Sequence, residues 1–555
     1  MLIYRTLMKN GIVIKLFVNI SCLAIFLSHS LIYAQDSTLL NKAQDMDKTQ
    51  AQDGQNGLGL VWALRTMLEN NSDILIQKQE VESSKGALQI QKGNFDNNLS
   101  ISLNQAYLDT PISEYYRDYY ESSSDRQDQT SFLVSLDKLY RSGVSITPKI
   151  QLDRIKAKGK YSKSAIGTIN TDTADSAAVS FTVKVPILRG RGAEATGAQE
   201  LAAEIDYKAS EVSLLDKIAQ SSLEVVRAYW NYKSAVEYES IYETSQRNAQ
   251  EILENTNKLI TYGQTPASER FQVEANLSSK KATVISSKQN VIAMRTSLGN
   301  AMGLKFEEIT NLGVPIDDFP RYKDVELPNL DKESYYINKA IERRADLQYL
   351  KLKQRAAQIL MNAAKKDLLP ELNFAVETGY QSLVEKDTAE SFFVPFTENA
   401  RGPYAKASLT YTFPIKNNTK RGFLLQRKAE YEKLAITADS QIKTISSAVS
   451  EALNEVLNTS KQLIQASEAV SLYKEAVEKE IKKFQLGSST LNDVIDIQDR
   501  LTNSMLNEIE AHKNYAIALA NLRYQIGGFI ISSKEAKDRN VYQNITGTSM
   551  EETKK

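Results

Sequence analysis

Hydrophobic and polar positions change period several times along this chain, and each change marks an element. From Leu58 to Lys92 apolar residues recur every three to four positions (Leu60, Leu64, Met67, Leu68, Leu75, Val81, Leu88), which predicts helix. At Leu99-Ser-Ile-Ser-Leu-Asn the period becomes two. Leu99, Ile101 and Leu103 take one face of a strand and Ser100, Ser102 and Asn104 the other. Phe132–Leu136 and Val144–Leu152 flank a turn at Arg141-Ser-Gly143 and predict a hairpin, and Val179–Val185 alternates again. The polar stretches 113–129 and 156–175 read as loops. Alternation excludes a fully buried parallel strand. It fits either a sandwich with one wet face or a membrane barrel with a wet lumen.

Pro186 closes the last of these strands, and no proline follows from about Ala195 to Thr261. There Val212, Leu215, Ala219, Ser222, Val226, Tyr229, Lys233 and Val236 keep heptad spacing, with two polar slots. A helix of ~65 residues is ~100 Å long, which suits a coiled coil or helical tube and no compact domain. A turn at Gly263 leads to a second helix, Ala267–Met302, and Pro315, Pro320 and Pro328 mark a linker. The series then repeats. A helix spans 338–366, strands lie at 372–377 and 405–413, and Pro414 ends the second. A proline-free heptad pattern carrying Val449, Leu453, Val456, Ser460, Leu463, Val470, Tyr473, Val477, Ile481 and Phe484 runs from about Lys420 to Leu486. A turn at Gly487 and a helix from Leu491 to Ile526 complete the copy.

The offsets make this an internal duplication. Asp346 − Asp73 and Leu372 − Leu99 are both 273; Pro414 − Pro186 is 228; Gly487 − Gly263 and Gly527 − Gly303 are both 224. Between strand start and strand end the first copy is longer by 273 − 228 = 45 residues, which hold the hairpin 132–152. The chain divides into a leader (1–34), a lead-in (35–57), a first repeat (58–303), a linker (304–330), a second repeat (331–528) and a polar tail (529–555). Two copies supply four principal strands, too few for a membrane barrel of about 8 or more, and they leave sheet edges open. Symmetric self-association removes both problems, and three copies give twelve principal strands.

Composition agrees with long elements: 555 residues contain only 11 Pro and 23 Gly. Residues 1–34 read as a secretory signal peptide, with Arg5, Lys9 and Lys15 before the apolar run Leu16–Leu27 and cleavage after Ala34. An uncleaved anchor is the rival, but the run falls short of the ~20 residues a span needs. Cys22, the only cysteine, is followed by Leu23–Leu27, which continues the apolar run where a lipoprotein would be cut. Without the leader the formal charge is 65 − 68 = −3, which gives no support for nucleic-acid binding. The two histidines, His29 and His512, build no catalytic set, and RGRGAEATG around Gly190 is not a phosphate loop. The reading is a non-enzyme with no cofactor and no metal.

With these motifs in order, the chain resembles the TolC-type outer-membrane efflux protein family. The match rests on ALRTMLENNSDIL and KAIERRADLQYL before each strand pair, VPILRGRG and FPI after it, and YGQTPASERFQVEA and LGSSTLNDVIDIQ at the turns. The resemblance implies an α+β membrane fold: a homotrimer whose twelve-stranded outer-membrane barrel continues into a long periplasmic α-helical barrel. It implies a passive exit duct of a tripartite efflux or type I secretion system, partnered by a periplasmic adaptor and an inner-membrane pump or ABC exporter. Carried over by motif position, the adaptor-docking tips are Tyr262, Gly263, Leu486 and Gly487, and the acidic constriction of an iris-like gate is Asp493, Asp496 and Glu269. The bland alternative for these acids is that they complement a helix dipole in its first turn. Ser489 and Thr265 stand where many relatives place an arginine that locks the closed iris. The competing reading of the whole is a periplasmic coiled-coil adaptor or scaffold without a pore. The hairpin 132–152 either widens the barrel or lies outside it.

Overall fold

The computed structural model describes residues 57–117, 123–157, 173–264, 266–322, 330–384 and 401–529. The leader, the lead-in up to residue 56, Thr265 and the tail beyond Phe529 lie outside the described residues.

The first expected helix is two helices, α1 (Leu60–Asn70) and α2 (Ser72–Gly93). Asn71 breaks them. Its Oδ1 accepts from the Asp73 and Ile74 N–H groups (3.0 and 3.2 Å), capping α2, while its Nδ2 donates to the Ala301 carbonyl (2.9 Å). The second copy breaks in the same place, at Arg344, between α8 and α9 below, and 344 − 71 is again 273.

Next come strand β1 (Asn97–Pro111), a short α3 (Glu114–Arg117), and strands β2 (Ser124–Leu139), β3 (Ser145–Ala157) and β4 (Thr173–Pro186). A single turn, α4 (Ala193–Thr196), opens onto α5 (Ala198–Thr261), which returns as α6 (Glu269–Met302). The linker contains α7 (Phe306–Thr310). The second copy runs α8 (Glu333–Arg343), α9 (Ala345–Lys366), β5 (Glu371–Val384), β6 (Arg401–Thr412), α10 (Asn418–Gln485) and α11 (Leu491–Gln525). Strands extend well into stretches whose polar composition reads as loop. Those residues pair across the ladder, for example Arg126 with Asp109, where the Arg126 Nε–H donates to Asp109 Oδ2 (3.1 Å).

All six strands form one antiparallel sheet in the order β1-β2-β3-β4-β5-β6. The two copies therefore share a single sheet, joined where Val179 faces Tyr380 and Val183 faces Val376 on β4 and β5. On the other side of the molecule α5 (64 residues) and α10 (68 residues) are each ~100 Å long at 1.5 Å per residue. Each packs antiparallel on its return helix, α6 or α11.

The cores lie along these helix pairs. Tyr229, Trp230 and Val226 of α5 pack with Leu64, Met67, Leu298 and Met302. Ile445, Val449, Leu453 and Val456 of α10 pack with Tyr515, Leu519 and Leu522. The heptad stripe holds at Ala219, Ser222, Val226 and Tyr229, and at Val449 through Val470. It loosens toward the far end of α10, where Tyr473, Val477, Ile481 and Phe484 are only half-buried. Ile285, Leu425, Ile436 and Leu472 are exposed along the same helices.

Candidate functional site

Among the described residues, two places are suited to act on a solute: the sheet wall and the paired helix tips. Reading across the ladders, one face of the sheet collects Ile101, Val134, Ile150 and Val179, and beside them Leu103, Phe132, Phe181, Phe374 and Leu409. Leu103 and Leu409, on the two outermost strands, are 70% and 63% exposed. The opposite face is polar and concave: Lys149, Gln151, Ser180, Glu377, Tyr404 and Lys406 line one hollow across β3 to β6. A single sheet with an exposed apolar face and a polar hollow on the other is the alternation of a membrane wall around water.

The tips are built alike. After α5 the Gly263 N–H donates to the Ile260 carbonyl (3.0 Å) and the Gln264 N–H to that of Leu259 (2.9 Å). After α10 the Gly487 N–H donates to Phe484 (3.0 Å) and Ser488 to Lys483 (2.9 Å). Each helix thus ends in a Schellman motif whose left-handed residue is the glycine, with φ +72° at Gly263 and +75° at Gly487. Nothing approaches the site where a Cβ would stand at either one, so the glycines are there for backbone conformation alone. Tyr262 and Leu486, just before them, are strongly exposed, as is Phe271 on the first-copy return helix.

The acids divide by environment. Asp493 caps its own helix: the Thr490 N–H and hydroxyl both donate to Asp493 Oδ2 (3.0 and 2.6 Å), and the Asp493 N–H returns a bond to Thr490 Oγ1 (3.2 Å). These bonds hold its carboxyl below the usual aspartate value, so the charge persists into acid. Asp496 lies one turn on and is paired with Arg500 of the same helix (2.8 Å). Glu269 stands in the first turn of α6. Asp493 thus serves the first turn of its own helix, with Thr490 as the N-cap, and Arg500 offsets the charge of Asp496.

Ser489, where an arginine latch was absent, donates to Glu480 Oε1 (2.5 Å) and ties the turn to the end of α10. That bond and the Lys483 cation hold Glu480 below the ordinary glutamate range. Arg270 pairs with Glu274 on its own helix (2.7 Å). The cross-links between the two tip hairpins are elsewhere. Gln272 Nε2 donates to Asn492 Oδ1 (2.7 Å), and Lys280 Nζ lies 2.5 Å from Asp499 Oδ1. Sequence reasoning passed over these four residues, since partners 220 and 219 positions apart carry no local pattern.

Residues 336–528 match the family model described as outer membrane efflux protein. The chain carries an outer membrane efflux protein domain. Proteins of this family are outer-membrane transport ducts, not enzymes. No curated protein matches the chain in sequence. Among solved structures, the CmeC outer membrane channel of Campylobacter jejuni is similar over 88% of this chain and 90% of its own, at 15% identity and a TM-score of 0.61. The outer membrane protein VceC of Vibrio cholerae is similar over 84% and 96%, at 12% identity and a TM-score of 0.58. The open-state MtrE outer membrane channel of Neisseria gonorrhoeae is similar over 85% and 89%, at 16% identity and a TM-score of 0.56. At these identities the likeness is one of fold. It takes in the first copy, which the family model does not match.

Proposed function

We propose that the chain is the outer-membrane exit duct of a tripartite efflux or type I secretion system, working as a homotrimer. The observation that carries this reading is a sheet with one exposed apolar face and one polar concave face, set at the end of two helical hairpins ~100 Å long. A scaffold or adaptor has no use for such a sheet. Open strands at both sheet edges and the exposed apolar residues along the long helices call for further copies of the chain.

In this reading the exposed Tyr262 and Leu486 beside the two glycines receive the helical hairpin of a periplasmic adaptor, which links the duct to an inner-membrane pump or exporter. The acids beyond the turns line the mouth. Each chain brings Asp493, Asp496 and Arg500, a local charge of −1 − 1 + 1 = −1, so three chains give −3 plus whatever Glu269 adds. A narrow mouth of that sign draws cations and turns anions away. The closed iris is fastened by Lys280–Asp499 and Gln272–Asn492 in place of an arginine after the tip glycine, and adaptor docking parts the two hairpins.

Cell fractionation tests the proposal. A heat-modifiable trimer in outer-membrane fractions that conducts in planar bilayers is the expected result. A soluble periplasmic monomer overturns it.

A further inference from the structure

We infer that the barrel has eighteen strands, six from each of three copies, with the first-copy hairpin β2–β3 forming part of the lipid-facing wall. The inference rests on the trimeric-channel reading above and goes beyond it, since the resemblance implies only four strands per chain.

Four observations carry it. First, β2 and β3 are inserted into the ladder and do not lie on it. β1 pairs with β2 along its whole length, from Asn97↔Lys138 to Pro111↔Ser124, and β3 pairs with β4 from Ser145↔Lys184 to Lys156↔Thr173. The hairpin thus separates β1 from β4, whereas their second-copy counterparts, β5 and β6, pair directly.

Second, the inserted strands keep the sheet's two-sidedness. The row Ile101, Val134, Ile150, Val179 is apolar across four neighbouring strands, while the adjacent row Ser102, Leu133, Gln151, Ala178 turns inward with Ser135 and Lys149. A hairpin lying outside a barrel against water has no reason to continue the apolar face.

Third, the β2–β3 turn is fixed to the body where strands become helices. Arg141 makes a two-pronged pair with Glu200 in the first turn of α5 (2.6 and 2.7 Å), and its guanidinium lies over the Phe95 ring (4.8 Å). The Gly192 N–H donates to the Ser142 carbonyl (2.9 Å). Gly143 has φ +90°, and a Cβ there would stand 2.1 Å from the Gly190 carbonyl oxygen.

Fourth, the two edge strands suit each other. Six alternating strands leave β1 and β6 running in opposite directions, so β1 of one copy meets β6 of the next as an antiparallel pair. Exposed apolar residues stand on both: Leu99, Ile101 and Leu103 on β1, Leu409 and Tyr411 on β6. The occupant of each edge is a second copy of this chain. Barrel diameter grows roughly linearly with strand number, so eighteen strands give a lumen about 1.5 times as wide as twelve at equal tilt.

The test uses the full chain as a trimer in lipid vesicles, with single tryptophans added and quenched from the bilayer by brominated lipid or from water by iodide. Val134→Trp and Ile150→Trp, on the inserted strands, are expected to lose emission in brominated lipid. Ser135→Trp and Lys149→Trp are expected to lose emission only to iodide. Phe374→Trp on β5 is the internal control for a lipid-facing barrel wall. If Phe374→Trp is quenched by lipid and Val134→Trp and Ile150→Trp are not, the hairpin lies outside the wall and the inference fails while the channel reading stands. If Phe374→Trp is also untouched by lipid, the channel reading itself fails. Disulfide trapping of Ile101→Cys against Ala405→Cys, Ala407→Cys or Leu409→Cys in turn checks closure. Covalent dimers and trimers are expected for at least one pairing, and their absence across the series overturns the β1–β6 seam.

Discussion

Lys280 and Asp499 give the sharpest test of how the helix tips are held. The two side chains belong to different hairpins, α6 and α11, and meet at 2.5 Å with 20% and 39% of their surface exposed. Lys280→Met keeps the length of the stem and removes the charge. Fully exposed ion pairs contribute about 0.2–1 kcal/mol and hydrogen bonds to charged groups about 1.5–3, so this mostly covered but still wetted pair sits between, at about 1 kcal/mol per chain. In the proposed trimer, if the three chains open one at a time, that shifts each chain's closed-to-open ratio about five-fold. If they open together, the loss is about 3 kcal/mol and the shift about 150-fold.

Open probability of single channels in planar bilayers at low salt reads this directly, and the size of the shift separates independent from concerted opening. Asp499→Asn is expected to match Lys280→Met, and the double variant to add nothing to either, since both remove one interaction. Raising the salt is expected to move the parent protein toward the variants. Lys288 and Glu243, paired at 3.2 Å between α5 and α6 of one hairpin, supply the control, and Lys288→Met leaves gating unchanged. An unchanged open probability in Lys280→Met, or an additive double variant, refutes the fastening role.

Three further outcomes are expected. Asp493→Ala with Asp496→Ala weakens the cation preference measured by reversal potentials; because the Thr490 bonds depress the Asp493 carboxyl, the parent's preference persists as pH falls to about 4, where an ordinary aspartate is half protonated. Asp216, pushed up to about 6 by burial and by the nearby Asp346 charge, binds its proton more tightly folded than unfolded, so its stabilising effect is complete below the ordinary aspartate value and is lost as pH rises through 6. Asp216→Asn therefore raises the thermal midpoint at pH 7 and leaves it unchanged below about pH 4. Gly487→Ala places a side chain at φ +75° for about 1–2 kcal/mol, and hydrogen exchange should then speed up in the last turn of α10 but not at Gly263.

The duplication was legible because helix ends and breaks are written in single residues. Gly263, Gly303, Gly487 and Gly527 all sit at positive φ after a helix, the conformation that glycine adopts most readily. The break at Asn71 was less visible, because an asparagine inside a three-to-four pattern reads as a polar helix position. Its amide is used in two directions at once, toward α2 and toward Ala301. The tip cross-links were not legible at all. Lysine and aspartate on polar helix faces are ordinary solvated charges until a second hairpin is set beside them.

The hairpin 132–152 shows why one reading of the chain stayed open until the strands were paired. Period two tells which residues share a face within a strand, but not which strand lies next to it. Placing Val134 on the same side as Ile101 and Ile150 requires the register, and a slip of one residue would have turned Ser135 and Lys149 onto the apolar face. What fixes the register is at the other end of the hairpin. Arg141 on Glu200 and Gly143 against Gly190 hold the turn at one height on the helix starts, so both strands rise from a fixed origin. The Gly143 contact is the part most open to attack, because a side chain there meets both backbone strain and the Gly190 oxygen. Gly143→Ala is expected to loosen β2 and β3 while sparing β5 and β6. In an Ile150→Trp background it should then reduce lipid quenching, with quenching of Phe374→Trp unchanged. Equal loss at both positions would mean that the turn supports the whole sheet, and that register is set elsewhere.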